Sequence, residues 1–242
     1  MKRFLHLAYQ PYKWLVLVPC LVLLTIGFGT LAVLLSLVVS SRLVSRLTGV
    51  PWARLMTLLT PMVVTVTGRE NIAPGQSYVI VSNHQSQYDI FVLYGWLGVD
   101  FRWVMKQELR RAPMIGVACE RVGHIFIDRS NARAAARSLE RAKSKITGGT
   151  SVLFFPEGTR SRTGELGSFK RGAFQIAADL GLPILPVTIS GTRKILPPGT
   201  LDLFPGRARM VVHEPVRVGD QGQGSVRDLV EEVRTRVASA LG

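Results

Sequence analysis

A histidine and an aspartate, five residues apart, are the pair in this sequence best suited to proton transfer. His84 and Asp89 lie in a polar stretch directly after the apolar run Tyr78–Val81. In a continuous helix a five-residue offset would point the two side chains apart, whereas a turn between them lets them meet. The carboxylate would then accept the proton of one ring nitrogen and leave the other nitrogen as a general base. A structural role in an ordinary turn is the alternative interpretation.

A second polar stretch follows the apolar run Val152–Phe155. It contains Gly158, which permits a close backbone approach, and Arg160, whose guanidinium suits an anion. An ordinary turn with a salt bridge is the alternative interpretation. Further along, Lys170 stands beside the start of a predicted helix, and a helix N-terminus next to basic residues is a natural phosphate site. These features favour a phosphorylated substrate.

The elements that must position these residues alternate between strand and helix. Short apolar runs bounded by turn residues predict six strands: Tyr78–Val81, Phe101–Met105, His124–Ile127, Val152–Phe155, Ile184–Ile189 and Ala208–His213. Helical patterns cover Asp89–Leu97, Asn131–Ile146, Phe169–Leu180 and Ser225–Leu241. The alternation predicts an α/β domain over residues 68–242, with a mostly parallel sheet flanked by helices. His84 is then expected at the carboxyl end of a strand, where α/β sheets place their sites.

The N-terminal part of the chain has a different composition. No charged side chain occurs between Trp14 and Val39, a run that would reach ~39 Å as a helix and exceed the ~30 Å hydrocarbon core of a bilayer. This run is too long for a usual signal peptide. A second apolar stretch, Val50–Val66, follows it. Residues 1–67 are therefore predicted to form a membrane-binding helical segment.

The net charge restricts the partners of the protein. Lys and Arg number 30 against 16 Asp and Glu, which gives a formal charge of +14, with a pI near 10.7 and a mean hydropathy of +0.24. Such an excess favours nucleic acid, an anionic membrane surface or a phosphorylated substrate. Aromatic residues make up only 8% of the chain and no recognition motif for nucleic acid occurs, so a membrane-tethered nucleic-acid-binding protein is a distant alternative. No spacing of histidine and cysteine indicates a metal site.

Four short motifs occur in order between Tyr78 and Gly191. The pattern N-H-x-x-x-x-D is met by Asn83, His84 and Asp89, the pattern G-x-I-F-I-D-R by residues 123–129, F-P-E-G-T-R-S by residues 155–161, and a Leu-Pro-Val stretch by residues 185–187. Lys106 matches a further recurrent basic position. Together these motifs resemble the glycerolipid acyltransferase family that includes the lysophosphatidate acyltransferases. Their order favours the catalytic interpretation of His84.

The resemblance implies an enzyme that transfers a fatty acyl group from acyl-CoA or acyl carrier protein to the sn-2 hydroxyl of lysophosphatidic acid, giving phosphatidic acid. It implies that His84, held by Asp89, deprotonates this hydroxyl, with no cofactor. The resemblance implies that Glu157 and Gly158 position the glycerol of the acceptor and that Arg160 and Arg129, with Lys106, bind its phosphate. It also implies Thr159 in acceptor binding. Another acceptor, such as glycerol-3-phosphate, a lysophospholipid or an amino-acid lipid, stays open. No G-x-S-x-G elbow occurs, so direct transfer is favoured over an acyl-enzyme.

The chemistry also predicts where the domain works. Both donors are cytosolic and the acceptor lies in a bilayer, so the catalytic domain is expected on the cytoplasmic face of the cell (inner) membrane, against its anionic surface. Basic residues flank the apolar run on both sides, with Lys13 before it and Arg42 after it. A hairpin turning near Gly27–Gly29 would keep both flanks in the cytosol. A full span is the alternative.

Overall fold

The computed structural model describes residues 8–128, 132–143, 146, 148–218 and 226–241. Within them, seven strands form one sheet in the order β1-β7-β6-β2-β5-β3-β4. The strands are β1 Met62–Thr67, β2 Val79–Ser82, β3 Phe101–Lys106, β4 Ile125–Ile127, β5 Ser151–Phe154, β6 Ile184–Ser190 and β7 Gly206–Val212. Strands β2 to β6 run parallel, whereas β7 is antiparallel to β6 and parallel to β1. The predicted fold class is confirmed.

Strand β2 is the fourth of the seven strands in the sheet order, and all four of its residues are buried. Its Val79 pairs with Val152 of β5 on one side and with Ile184 of β6 on the other. The carboxyl ends of parallel strands meet at one edge of a sheet, so the segments that follow β6, β2 and β5 converge there. Strand β3, the next neighbour of β5, ends at that edge with Lys106.

Helices cover both faces of the sheet. The helices after β1 are α3 Asp89–Trp96, α4 Ile115–Val122, α5 Ala132–Ala142, α6 Gly172–Leu180, α7 Thr192–Ile195 and α8 Val226–Ser239. On one face Ile80 packs in a core with Leu93 of α3. On the other face Val81 packs in a core with Phe174 of α6 and Val233 of α8. Successive residues of β2 thus point to opposite cores, as the pleat requires. The predicted helix starts Asn131 and Ser225 lie outside the described residues.

Two antiparallel helical arms precede the sheet. Helix α1, Ala8–Leu35, is the one helix of the described residues that is long and apolar enough to cross a membrane. The chain reverses at residues 36–40 and returns through α2, residues 41–59, which contains a π-helical turn at Ser45–Gly49. The indole Nε1 of Trp52 in α2 donates to the hydroxyl of Thr25 in α1 at 3.2 Å. The arms therefore pack against each other.

The turn predicted near Gly27–Gly29 is wrong, because α1 continues through both glycines. A Cβ at Gly29 would lie 3.0 Å from the Cγ of Met114, just before α4. This glycine permits close packing of α1 on the α/β domain and does not reverse the chain.

Strand β1 lies inside the segment that the sequence grouped with the N-terminal apolar region. Met62 begins the strand, and all six of its residues pair with β7. An edge strand needs only one buried face, and Val63 is accordingly 56% exposed. Only Thr60 and Pro61 separate it from α2, so the apolar run passes from helix to strand without a long polar break. The division at residue 67 stays a prediction, although this strand belongs to the sheet.

Candidate active site

The predicted pair meets at the carboxyl end of β2. The Nδ1 atom of His84 lies 2.8 Å from Oδ2 of Asp89, which is the first residue of α3. The Asp89 side chain is fully buried and that of His84 is 15% exposed. The Nε2 atom of His84 makes no hydrogen bond to another described residue. The pair is thus a histidine whose one ring nitrogen is held by a carboxylate and whose other nitrogen can act as a base.

The Asp89 carboxylate accepts bonds from three further groups. Oδ2 also accepts the backbone N–H of Gln85 at 2.7 Å and that of Ser86 at 2.9 Å. Oδ1 accepts the hydroxyl of Thr192, on α7, at 2.5 Å. Its position at a helix N-terminus adds a favourable dipole. Such partners satisfy a buried carboxylate whose charge would otherwise be costly.

The stretch after β5 holds the His84 turn from one side. The ring of Phe155 stacks on the imidazole with centroids 3.9 Å apart and planes 9° apart. One carboxylate oxygen of Glu157 accepts the backbone N–H of His84 at 2.8 Å, and the other accepts that of Gly167 at 2.9 Å. The backbone N–H of Ser161 donates to the carbonyl of His84 at 2.8 Å. Burial raises the pKa of Glu157, and its two N–H donors oppose that rise.

The last residues of β6 and the stretch after it hold the same turn from the other side. The side-chain amide of Asn83 donates to the carbonyl of Ile189 and accepts its N–H, each at 2.8 Å. The hydroxyl of Ser86 donates to the carbonyl of Leu196 at 2.7 Å. The turn after β2 therefore lies between its two neighbours in the sheet, and each contributes side-chain or backbone bonds.

Basic side chains surround this edge without such bonds. Lys106 at the end of β3 and Arg160 after β5 are exposed, and neither side chain makes a hydrogen bond or ion pair with another described residue. The backbone N–H of Lys170 donates to the carbonyl of Pro156 at 3.0 Å. Gly158 has φ +78°, and a Cβ there would lie 2.7 Å from Nζ of Lys170. This ammonium therefore covers the glycine of the F-P-E-G-T-R-S motif, where a side chain would displace it.

Comparison with known proteins decides the family. Residues 63–190 match the acyltransferase family. A 1-acyl-sn-glycerol-3-phosphate acyltransferase of Pseudomonas aeruginosa is 30% identical over 88% of this chain and 84% of its own length. The chain belongs to the acyltransferase family. The resemblance inferred from the motifs is confirmed.

Two further comparisons, one of sequence and one of structure, match proteins with the same kind of name. A chloroplastic 1-acyl-sn-glycerol-3-phosphate acyltransferase of Arabidopsis thaliana is 38% identical over 74% of this chain and 49% of its own length. The chain spans about half the length of this relative and of the similar plant and algal proteins. The crystal structure of the 1-acyl-sn-glycerophosphate acyltransferase PlsC from Thermotoga maritima superposes with a TM-score of 0.80 at 27% identity, covering 100% of this chain and 96% of that one.

The structure of this acyltransferase brings most of the predicted site residues to one edge. His84, Asp89 and Glu157 are in direct contact, Gly158 and exposed Thr159 and Arg160 follow in the same turn, and Lys106 ends a neighbouring strand. Arg129 lies outside the described residues. The roles of these residues in acceptor binding stay predictions.

The sequence motifs predict no role for Thr192, although its hydroxyl contacts the carboxylate of Asp89. Thr192 follows the last motif by several residues and belongs to no spacing pattern. The signal for this contact is the sheet order, which places the end of β6 beside the end of β2.

The thiol of Cys119 is poorly suited to form an acyl-enzyme. Burial raises its pKa to about 11 and keeps it protonated near neutral pH. A protonated thiol is a poor nucleophile.

Proposed function

We propose that this chain transfers a fatty acyl group from a thioester donor to the sn-2 hydroxyl of lysophosphatidic acid, giving phosphatidic acid. The observation that carries the proposal is the pair at the end of β2. Nδ1 of His84 is engaged by Asp89, and Nε2 is left for a substrate proton, at the edge of the sheet where exposed basic residues end β3 and follow β5. The names of the relatives support the same reaction.

The reaction proceeds in one transfer. Nε2 of His84 takes the proton of the acceptor hydroxyl as that oxygen attacks the thioester carbonyl. The tetrahedral intermediate collapses, the carbon–sulfur bond breaks, and the carrier thiol leaves with the proton from the imidazolium. Asp89 stabilises the imidazolium between these steps and fixes the orientation of the ring. No side chain needs to carry the acyl group.

The acceptor phosphate binds among the basic side chains at the edge. The side chains of Lys106 and Arg160 are exposed and free of partners among the described residues, so a phosphate monoester meets no competing carboxylate there. The family resemblance adds Arg129 to this set. Lys170 supplies a further ammonium over Gly158. A planar guanidinium and flexible ammonium groups suit the oxygens of a phosphate.

The assay that tests this function offers each donor to each acceptor. Purified full-length protein in detergent micelles receives oleoyl-CoA or oleoyl acyl carrier protein with lysophosphatidic acid, glycerol-3-phosphate or lysophosphatidylcholine, and mass spectrometry scores the products. We expect phosphatidic acid as the main product, with at least one of the two donors. Faster acylation of glycerol-3-phosphate or lysophosphatidylcholine would contradict the proposed acceptor.

We further propose that α1 lies in one leaflet of the inner membrane, with the catalytic domain on the cytoplasmic face. Contacts along α1 support this. The hydroxyl of Tyr12 donates to the carbonyl of Leu59 at 2.7 Å, and a Cβ at Gly29 would touch Met114. A helix that crossed the bilayer would lose one or the other set of contacts. The opposite side of α1 is apolar and open, with Leu23 68% exposed.

Cysteine labelling in intact cells tests this topology. A single cysteine replaces Lys2 in a Cys20→Ser, Cys119→Ser background. We expect a membrane-impermeant maleimide to label it only after lysis, because both charged flanks stay in the cytosol. Asp202→Cys in the same background is the matched control, since Asp202 is an exposed residue of the catalytic domain. Labelling of the Lys2→Cys protein, but not of the control, in intact cells would establish a full span.

A further inference from the structure

The hydroxyl of Thr192 is the one group among the described residues that bonds to Oδ1 of Asp89. Thr192 is fully buried, and its hydroxyl lies 2.5 Å from that oxygen. The other carboxylate oxygen, Oδ2, faces His84 and two backbone N–H groups. The two oxygens thus have separate partners, and the bond from Thr192 fixes the rotation of the carboxylate about its Cβ–Cγ bond.

Two features of the neighbouring chain place Thr192 in this position. Gly191 has φ +88°, and a Cβ there would overlap the carbonyl oxygen of Arg207 in β7, so only glycine fits at the end of β6. The amide of Asn83 pairs with both backbone groups of Ile189. Asn83 adjoins His84 in the chain, so the same bonds set the distance between the β6 end and the catalytic turn.

We infer that Thr192 is a positioning residue of the catalytic pair. Its hydroxyl holds the plane of the Asp89 carboxylate in the orientation that points one oxygen at Nδ1 of His84. Without that donor, Oδ1 is a buried anionic oxygen with no partner among the described residues, and the carboxylate can rotate to seek one. The inference rests on the proposed function, in which His84 is the base, and it concerns kcat rather than substrate affinity.

Three variants at this position separate the hydroxyl from the space it fills. Thr192→Val removes the hydroxyl and keeps the shape, Thr192→Ala removes both, and Thr192→Ser keeps the hydroxyl. Thr188→Val is the matched control. Thr188 is another buried threonine, located in β6, but its hydroxyl bonds to His213 and to the carbonyl of Val237, away from the pair.

Steady-state kinetics with oleoyl-CoA and lysophosphatidic acid, on the full chain in detergent, give the first measurement. We expect kcat of Thr192→Val to fall about 10- to 100-fold, the range for losing a hydrogen bond to a charged group, with both KM values within about twofold. Thr192→Ser should keep kcat within about threefold, and Thr188→Val should behave like the wild type. Equal kcat losses in Thr192→Val and Thr188→Val would overturn the inference, since the effect would then be one of packing.

A second measurement needs no substrate and so separates this inference from the proposed function. The Nδ1–H proton of His84 in its bond to Asp89 is observed by NMR and assigned by its absence in His84→Ala. We expect this signal to shift or broaden in folded Thr192→Val and Thr192→Ala, and to stay in place in Thr192→Ser. A shift in a protein that shows no turnover on any acceptor would refute the function and support the positioning role. An unchanged signal in the valine and alanine variants would refute the positioning role. If the valine variant does not fold, the alanine variant gives the same test.

Discussion

The proposed catalytic pair, His84 and Asp89, and the basic residues at the same edge of the sheet are held in opposite ways. Asp89 is fully buried and accepts four hydrogen bonds from four groups, and the backbone of His84 is held by Glu157. Lys106 and Arg160 are exposed, and their side chains make no bond with another described residue. One region is fixed before any substrate arrives, whereas the other has flexible side chains and an open surface.

The difference follows from what each region must do. A proton transfer requires the base within hydrogen-bond reach of the acceptor hydroxyl and in the correct tautomer, so its supports must be in place beforehand. A phosphate with several oxygens can be bound by long cationic side chains from more than one direction, and their ordering can follow binding. Substitutions in the fixed region should therefore lower kcat, whereas substitutions in the open region should weaken acceptor binding.

Removing the base should have the largest effect. His84→Ala is expected to lower kcat by about 10²- to 10⁴-fold, the contribution of a positioned general base. Thermal unfolding of the variant should match that of the wild type within a few degrees, because the imidazole is partly exposed and lies in a turn. A folded His84→Ala protein that retained more than about a tenth of the wild-type kcat would show that another group acts as the base.

Asp89→Asn tests the support of that base. An amide group offers one acceptor oxygen, whereas the carboxylate accepts from His84, Thr192 and two backbone N–H groups. At least one donor would face the NH₂ group, and the imidazole would favour the wrong tautomer, so kcat should fall by orders of magnitude. Kinetics and thermal unfolding measured together check this. A normal kcat in a destabilised protein would assign Asp89 a structural role only.

The sequence predicts the central strands of the sheet better than it predicts the edge strand β1 and the helical arm before it. Strand Val79–Ser82 and its neighbours are apolar on both faces, so short apolar runs between turn residues identify them. Strand Met62–Thr67 is not recognised in this way, because its apolar residues directly follow those of α2 and no run of turn residues separates them. The glycines Gly27 and Gly29 predict a turn, but a glycine inside a helix also permits close packing, and composition does not distinguish the two uses.

The contact between His84 and Asp89 was predictable because both residues lie in one turn and match a family motif. The partners of that pair come from distant parts of the chain. Thr192 follows Asp89 by 103 residues and Glu157 follows His84 by 73. Only the order of β6, β2 and β5 in the sheet brings them together. A single sequence carries no signal for such contacts unless the strand order is already known.

Glu157 tests the distinction between the fixed and the open region. The family resemblance implies that it binds the acceptor, but its hydrogen bonds to His84 and Gly167 make it part of the fixed region. Glu157→Gln should lower kcat about tenfold and destabilise the fold by about 1–3 kcal/mol, since one backbone N–H, of His84 or of Gly167, would face an NH₂ group. Glu165→Gln, an exposed residue of the same loop, is the control. A higher acceptor KM with unchanged kcat and stability would favour the acceptor role instead.

Arg160 tests the open region. Arg160→Ala should lower kcat/KM for lysophosphatidic acid about 10- to 100-fold, the range for a hydrogen bond to a charged group, and should leave the KM for the donor unchanged. Arg160→Lys should recover part of the loss, because an ammonium cannot make the planar two-pronged contact. Arg162→Ala, which removes an exposed guanidinium from the same loop, is the control. A raised donor KM with a normal acceptor KM would move Arg160 to the donor site.

The smallest expected effect concerns a second histidine that lacks a carboxylate partner. Nε2 of His213 lies 2.8 Å from the hydroxyl of Thr188. Burial, with Arg236 nearby, lowers the pKa of His213 from its ordinary value of 6.5.

This lowered pKa makes stability depend on pH. Below pH 6.5 the unfolded chain takes up a proton that the folded chain resists, so the free energy of unfolding should fall as the pH falls in that window and level off below the folded-state pKa. Solvent screens this partly buried group, so the loss of stability should be small. His213→Gln should abolish this contribution while keeping a polar group near Thr188. Thermal unfolding of both proteins between about pH 7.5 and 5 measures the difference, on the order of one degree or a few. Parallel curves for the two proteins would show that other groups produce the whole pH dependence.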